Sequence, residues 1–163
     1  MTSLMSLVLD FRPAKSIVTM TREYLDTLYA GLLSDPDETY RLTLTVHELL
    51  ENVIKYAGVG PRHLRVGLRS ENGSTHVQVE TRNSSSTEGI ATLQRLFLDF
   101  AASPDALTIY DQLLATSFQR EGSGLGLARI RAEADMRLAC EIDGNDVTIR
   151  AEAPFFSIKL LSW

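Results

Sequence analysis

Apolar positions along this 163-residue chain switch between a period of about two and one of about 3.6, and each switch marks an element boundary. Leu7 to Phe11 alternates as a short strand. Pro13 suits the start of a helix, and Ala14 to about Leu33 carries amphipathic helical spacing. Ser34-Asp35-Pro36-Asp37 ends that helix, with Asp35 or Asp37 able to cap the next one. The second helix runs to near Gly58, where Gly60-Pro61 bars continuation. Two alternating runs, Leu64 to Ser70 and Thr75 to Arg82, flank Asn72-Gly73, and an Asn-Gly pair in that setting predicts a hairpin.

Asn83-Ser84-Ser85-Ser86-Thr87 breaks the strand pattern. Glu88 to Ala102 and Pro104 to Thr116 then read as helices, with Ser103 placed to cap the second. Leu125 to Met136 reads as a further helix, and Leu138 to Ile142, Asp146 to Glu152 and Phe155 to Leu160 read as strands, the first two joined by Asp143-Gly144-Asn145. The predicted order is β-α-α-β-β, a helical insertion over about 84–121, then α-β-β-β. The fold class is therefore α+β, with helices stacked on one face of a mixed sheet in a two-layer α/β sandwich. There is no internal repeat, low-complexity tract or interdomain linker, so residues 1–163 read as one domain.

Composition narrows the function classes. A 44% hydrophobic content is enough for one proper core at this length. The formal charge of −5, a pI near 5.2 and sixteen scattered Lys and Arg oppose a nucleic-acid surface. The lone Cys140 has no internal disulfide partner, which fits a reducing compartment. No apolar run approaches the roughly 18 to 20 residues that span a bilayer, and the start lacks the regions of a signal peptide. A soluble cytoplasmic protein without a membrane partner is expected.

The chemistry sits in two motifs. On the second helix, Leu42, Val46, Leu49, Val53 and Ala57 share one face, while Arg41, Thr45, Glu48, Asn52 and Lys55 share another. A carboxylate, an amide and an amine thus align over two turns. Later, Gly122-Ser123-Gly124-Leu125-Gly126-Leu127 opens a helix, which is how free backbone N–H groups come to cradle a phosphate. A Mg-nucleotide site follows from the pair: Mg²⁺ takes oxygen ligands and is held by one or two protein groups plus phosphate oxygens. Asn52 is then the metal ligand, Glu48 the general base and Lys55 a point charge for phosphate. Each motif alone is weak: a stripe like the first is more often a solvated face, and glycines like the second serve helix packing as often as phosphate binding. His47 lies about a quarter-turn off the Glu48 stripe and reads as structural. His63, His76 and Cys140 are isolated in the sequence and carry no motif.

With both motifs in place, residues 40 to 153 resemble the GHKL superfamily and its Bergerat ATP-binding fold. His47 to Ala57 looks like the N box, in which the asparagine holds Mg²⁺ and the glutamate four residues earlier acts as base. Gly122, Ser123, Gly124, Leu125 and Gly126 look like the second glycine box, which contacts the triphosphate. The first glycine box is altered: Asn83 stands where an aspartate grips adenine, and both glycines are replaced. Asn83 retains an acceptor oxygen but lacks the charge. Among subgroups, the chain resembles single-domain Ser/Thr protein kinases of bacterial partner switching, either SiaB-like or of the anti-sigma-factor type related to SpoIIAB and RsbW. The resemblance implies ATP and Mg as cofactors, a STAS-like or SiaC-like protein substrate or a sigma factor as partner, and a possible homodimer. The competing expectation is a Bergerat-fold interaction module without turnover, which the altered first glycine box favours.

Overall fold

The computed structural model describes residues 2–12, 14–56, 58, 60–71, 74–103, 105–116 and 124–157. Ten elements follow one another: β1 (Thr2–Phe11), α1 (Lys15–Leu32), α2 (Pro36–Tyr56), β2 (Arg62–Glu71), β3 (Ser74–Ser84), α3 (Thr87–Ala102), α4 (Ala106–Thr116), α5 (Leu125–Ala132), β4 (Arg137–Asp143) and β5 (Asp146–Phe155). They form the expected two-layer α/β sandwich, with the strands in the order β1-β2-β3-β5-β4.

The sheet is wholly antiparallel, not mixed. The helical segment carries the chain from β3 past one position to β4, and the β4–β5 hairpin then returns β5 into the gap. Every neighbouring pair therefore runs in opposite directions. One sheet face supplies the core through Leu64, Val66, Leu68, Val77, Val79, Ile149 and Ala151. Opposite it, α2 buries Leu42, Val46, Leu49, Leu50 and Val53, because it also packs against α1 and α5. The other face is polar, with Arg150 bridging Glu80 and Glu141 at 2.5 and 2.6 Å.

Several boundaries differ from the sequence reading. β1 begins at Thr2 instead of Leu7, and its register against β2 shifts between Ser3 and Met5. β3 continues through Asn83 and Ser84, which pair with Val147 and Asp146, so the polar run ends the strand later than expected. α4 is capped by Asp105, which accepts from Leu107 N and Thr108 Oγ1, whereas Ser103 closes α3. α5 stops at Ala132, not Met136: Arg41 donates to the Ala134 and Asp135 carbonyls, and Asp135 takes a left-handed φ of 48°. Among the described residues there is no separate strand from Phe155, since β5 runs unbroken through Pro154 to Phe155. Pro154 is tolerated because β4 pairs with β5 only as far as Glu152, leaving that side of the strand without a ladder partner. Residues 158–160 of that expected strand, Asn72-Gly73 of the hairpin turn, Pro13, Ala57 and Pro104 lie outside the described residues. The Asp35 cap holds, its Oδ1 accepting from Asp37 N at 2.8 Å.

In the insertion, Leu96, Phe100 and Ile109 are buried, whereas Leu98 and Leu107 are exposed. Its α4 rests on α5, which makes the pair α3–α4 a cover over the glycine-led helix.

Candidate functional site

Two anchors bring the end of α2 to the end of β3. Gly58 N donates to the Ser84 carbonyl at 2.7 Å, and Arg62 donates to the Gly58 and Gly60 carbonyls. Asn52, just over one turn before the end of α2, and Asn83, on the last turn of pleat of β3, therefore open into one cavity of about 300 Å³. Its walls are largely apolar, with Val53, Leu93, Leu127 and Ile149, and its polar groups include Asn52, Thr81 and Asn83.

These polar groups are held ready to bond. Asn52 Nδ2 is buried and has no hydrogen-bond partner among the described residues. An unpaired buried amide costs roughly 1–3 kcal/mol, so it marks a position at which a polar ligand is accommodated at a gain. Asn83 is only 8% exposed and donates through Nδ2 to the Ser84 carbonyl at 3.0 Å, leaving Oδ1 as the acceptor. Thr81 is buried two residues earlier on the same inward face.

The polar stripe of α2 is not a solvated face. Thr45 is fully buried, and the Glu48 side chain is 14% exposed beneath α5. A Cβ at Gly126 would meet Glu48 Oε2 at 2.5 Å, so only glycine lets the helix N-terminus sit this close to the carboxylate. Gly124, at φ +68°, forms the N-cap of α5 and lines the cavity, with Leu96 of α3 packed against it. Leu125 starts the helix, and the first N–H groups of α5 have no intrahelical acceptor. Gly122 and Ser123 lie outside the described residues.

Glu48 has a partner that the motif reading does not contain. Arg129 Nη1 donates to Glu48 Oε1 at 3.1 Å, while its Nε donates to Glu133 Oε2 at 2.9 Å. Burial works against charge on Arg129, but the bonds to Glu133 and Glu48 outweigh it and hold the guanidinium above its ordinary range. Tyr40 also donates to Glu133 Oε2, at 3.2 Å. Tyr110 of α4 reaches the same group, and burial together with the Glu133 carboxylate pushes its hydroxyl upward in pKa. The sequence signal for Arg129 was an arginine set among Leu125, Leu127, Ala128 and Ile130, all part-buried or buried.

Of the sequence-predicted residues, Asn52, Asn83 and Gly124 share the cavity wall, and Glu48 with Gly126 lies just beyond it under α5. Lys55 does not join them. It is exposed, with Nζ 5.4 Å from the Tyr56 ring centroid, and it does not line the cavity. His47 stays outside too, its Nε2 3.8 Å from Glu51. His63 and His76, isolated in sequence, each face a carboxylate across the strands, Asp10 and Glu152 respectively. Cys140, half-buried on β4, has its thiol pushed up to about 11 by burial and by Glu141.

No model of a known protein family and no curated protein matches the chain. Among solved structures, the fold is similar to that of a chain in the crystal structure of the SiaB–SiaC complex from Pseudomonas aeruginosa, with a TM-score of 0.69 and 20% identity over 93% of this chain and 89% of that one. At that identity the likeness is one of fold. Among the described residues, no helix is long and apolar enough to cross a membrane.

Proposed function

We propose that this chain is a partner-switching regulator that binds Mg-ATP in the cavity between α2, β3 and α5 and phosphorylates a serine or threonine of a small regulatory protein. The observation that carries the reading is the placement of Glu48 and Asn52 one turn apart on α2, the first against Gly126 and the second presenting an unpartnered buried amide to the cavity. The cavity fits a nucleoside: apolar walls for a base, with Thr81 and Asn83 offering a hydroxyl and an amide at its edge. Among the described residues, no three His, Cys, Asp or Glu side chains converge as metal ligands. Mg²⁺ would thus depend on the Asn52 oxygen and on phosphate oxygens, as is usual for this ion.

Mg-ATP supplies the phosphoryl group and neutralises its charge; the remaining work falls to this chain. Asn52 would hold the metal, and the N-terminal N–H groups of α5 would bind phosphate oxygens. Glu48 takes the proton of the attacking hydroxyl. Its Oε1 is engaged with Arg129, and Oε2, which receives no hydrogen bond among the described residues, is the oxygen free to do so. The structural neighbour was crystallised as a SiaB–SiaC complex, which supports a protein as the partner, SiaC-like or STAS-like.

A second reading, an interaction module without turnover, draws on Leu96. That side chain fills the space over Gly124, and Asn83 replaces the charged adenine contact. Calorimetry separates the two. Titration with a slowly hydrolysed ATP analogue should give Mg-dependent binding that Asn52→Ala abolishes, while Glu48→Gln keeps binding and loses transfer to a partner. No binding at millimolar ligand would establish the module instead.

A further inference from the structure

Resting on the nucleotide reading above, we propose that Arg129, and not Lys55, is the cation that receives the terminal phosphates. The N-box pattern puts a lysine one turn beyond Asn52, but Lys55 is exposed with its Nζ 5.4 Å from the ring centroid of Tyr56, and neither it nor Arg129 lines the cavity itself. The glycine-led helix supplies the cation from the other side. Arg129 follows Leu125 by one turn on α5, and its guanidinium is held between Glu48 of α2 and Glu133 at the C-cap of α5. It meets Glu48 Oε1 at 3.1 Å, and the other oxygen of that carboxylate lies 2.5 Å from where a Cβ of Gly126 would be. Arg129, Glu48 and the Gly126 backbone are thus neighbours through two short contacts.

Charge explains why a cation is required here. Glu48 is an anion beside a site meant for three or four phosphate charges, and an approaching triphosphate would be repelled unless a positive group stood between them. Arg129, already paired with Glu48, would supply it. Of its five N–H donors, the bonds to Glu48 and Glu133 leave the Nη2 pair unengaged among the described residues. Glu133, itself bonded by Tyr40, anchors the arginine at Nε. The outer end of the guanidinium can therefore pass from Glu48 to a phosphate oxygen while Nε stays in place. Such a transfer would couple arrival of the triphosphate to release of Glu48 from its ion pair, which makes the carboxylate, and with it the unengaged Oε2, the stronger base.

The test compares AMP with the Mg-bound, slowly hydrolysed ATP analogue by calorimetry on the full chain. Arg129→Ala should weaken the triphosphate by about tenfold or more, the scale of a lost charge-assisted pair, and leave AMP unchanged. Arg129→Lys should restore part of the difference, because the charge remains but the fork does not. Lys55→Ala should leave the triphosphate-to-AMP ratio as in the wild type. Repeating Arg129→Ala in a Glu48→Gln background removes the repulsive carboxylate; a loss that persists there marks direct contact. Equal weakening of both nucleotides, an unchanged ratio, a loss that vanishes with Glu48→Gln, or a loss in Lys55→Ala instead would each overturn the assignment. Failure of the wild type to bind either nucleotide would end the inference together with the nucleotide reading, whereas normal wild-type binding with an indifferent Arg129 ends the inference alone.

Discussion

A methyl group at Gly126 would sit 2.5 Å from Glu48 Oε2, and one at Gly124 would sit 2.6 Å from Leu96 Cδ2. The two glycines nevertheless differ in what a substitution does. Gly124 holds φ +68°, so alanine there adds backbone strain of about 1–2 kcal/mol whether or not Leu96 yields. Gly126 is helical, and the atom it meets is the far end of a movable side chain. Gly124→Ala should therefore cost about 1–2 kcal/mol in urea denaturation, and Gly126→Ala clearly less. If the chain is the proposed kinase, Gly126→Ala should instead push the Glu48 carboxylate out of its place beside α5 and reduce phosphotransfer more than it reduces nucleotide binding. Equal stability losses in the two variants would contradict this assignment. At this scale, spacing alone put Glu48 and Asn52 on one face of α2, since helical periodicity fixes which side chains share a face. It did not tell where the long flexible stem of Lys55 would lead, and it held no sign of the Arg129 pairing with Glu48, which is recognisable only once α2 and α5 lie side by side.

The ends of elements depended on contacts that no local pattern contains. Glu38, in the first turn of α2, is 5% exposed and accepts from Phe156 N at 2.7 Å, Ser157 N at 3.1 Å and Ser157 Oγ. Ser34 N and Oγ in turn donate to the Ser157 carbonyl, both at 2.8 Å. The carboxylate thus ties the end of β5 to the start of α2, at the helix end where negative charge is favourable. A period-based reading continued a strand beyond Phe155, because the residues that turn the chain away are about 120 positions distant, with a separation of 118 for Phe156 and Glu38. The same holds for α5, which Arg41 of α2 ends early. Glu38→Ala should leave two part-buried backbone donors without their carboxylate acceptor and destabilise the fold by about 1–3 kcal/mol, measured by chemical denaturation. A loss below about 0.5 kcal/mol would show that water replaces the carboxylate without cost. Pairing inside the sheet was better determined than its ends: the hairpin of β2 and β3 follows from two alternating runs, which fix the faces of both strands at once.

For the molecule as a whole, the layer architecture followed from apolar faces that had to be buried together, whereas strand direction did not, since β5 enters between β3 and β4 only after the helical segment has passed. That arrangement divides the fold into parts of unequal stability. β3 has a ladder on both sides along most of its length and is covered by α2. The cover α3–α4 rests mainly on α5, and of its 27 helical residues only Leu96, Phe100 and Ile109 are buried. Burying a full aliphatic or aromatic side chain contributes about 1.5–3 kcal/mol, so three such anchors hold the cover with far less than the sheet and α2 hold one another. Phe100 adds a stacked contact, the Arg131 guanidinium lying 4.6 Å from its ring centroid, and it ties the cover to α5, not to the strands. Native-state hydrogen exchange should consequently find α3 and α4 opening at a free energy well below that of global unfolding, with little dependence on denaturant, while β3, β5 and α2 exchange only through global unfolding. A nucleotide held beneath the cover would raise protection in α3 and α4 first, because ligand that binds the closed form shifts that local equilibrium before it affects the rest. If the cover and the sheet instead exchanged together, the cover would be an integral part of the core, and access to the cavity would have to come from its rim without movement of α3.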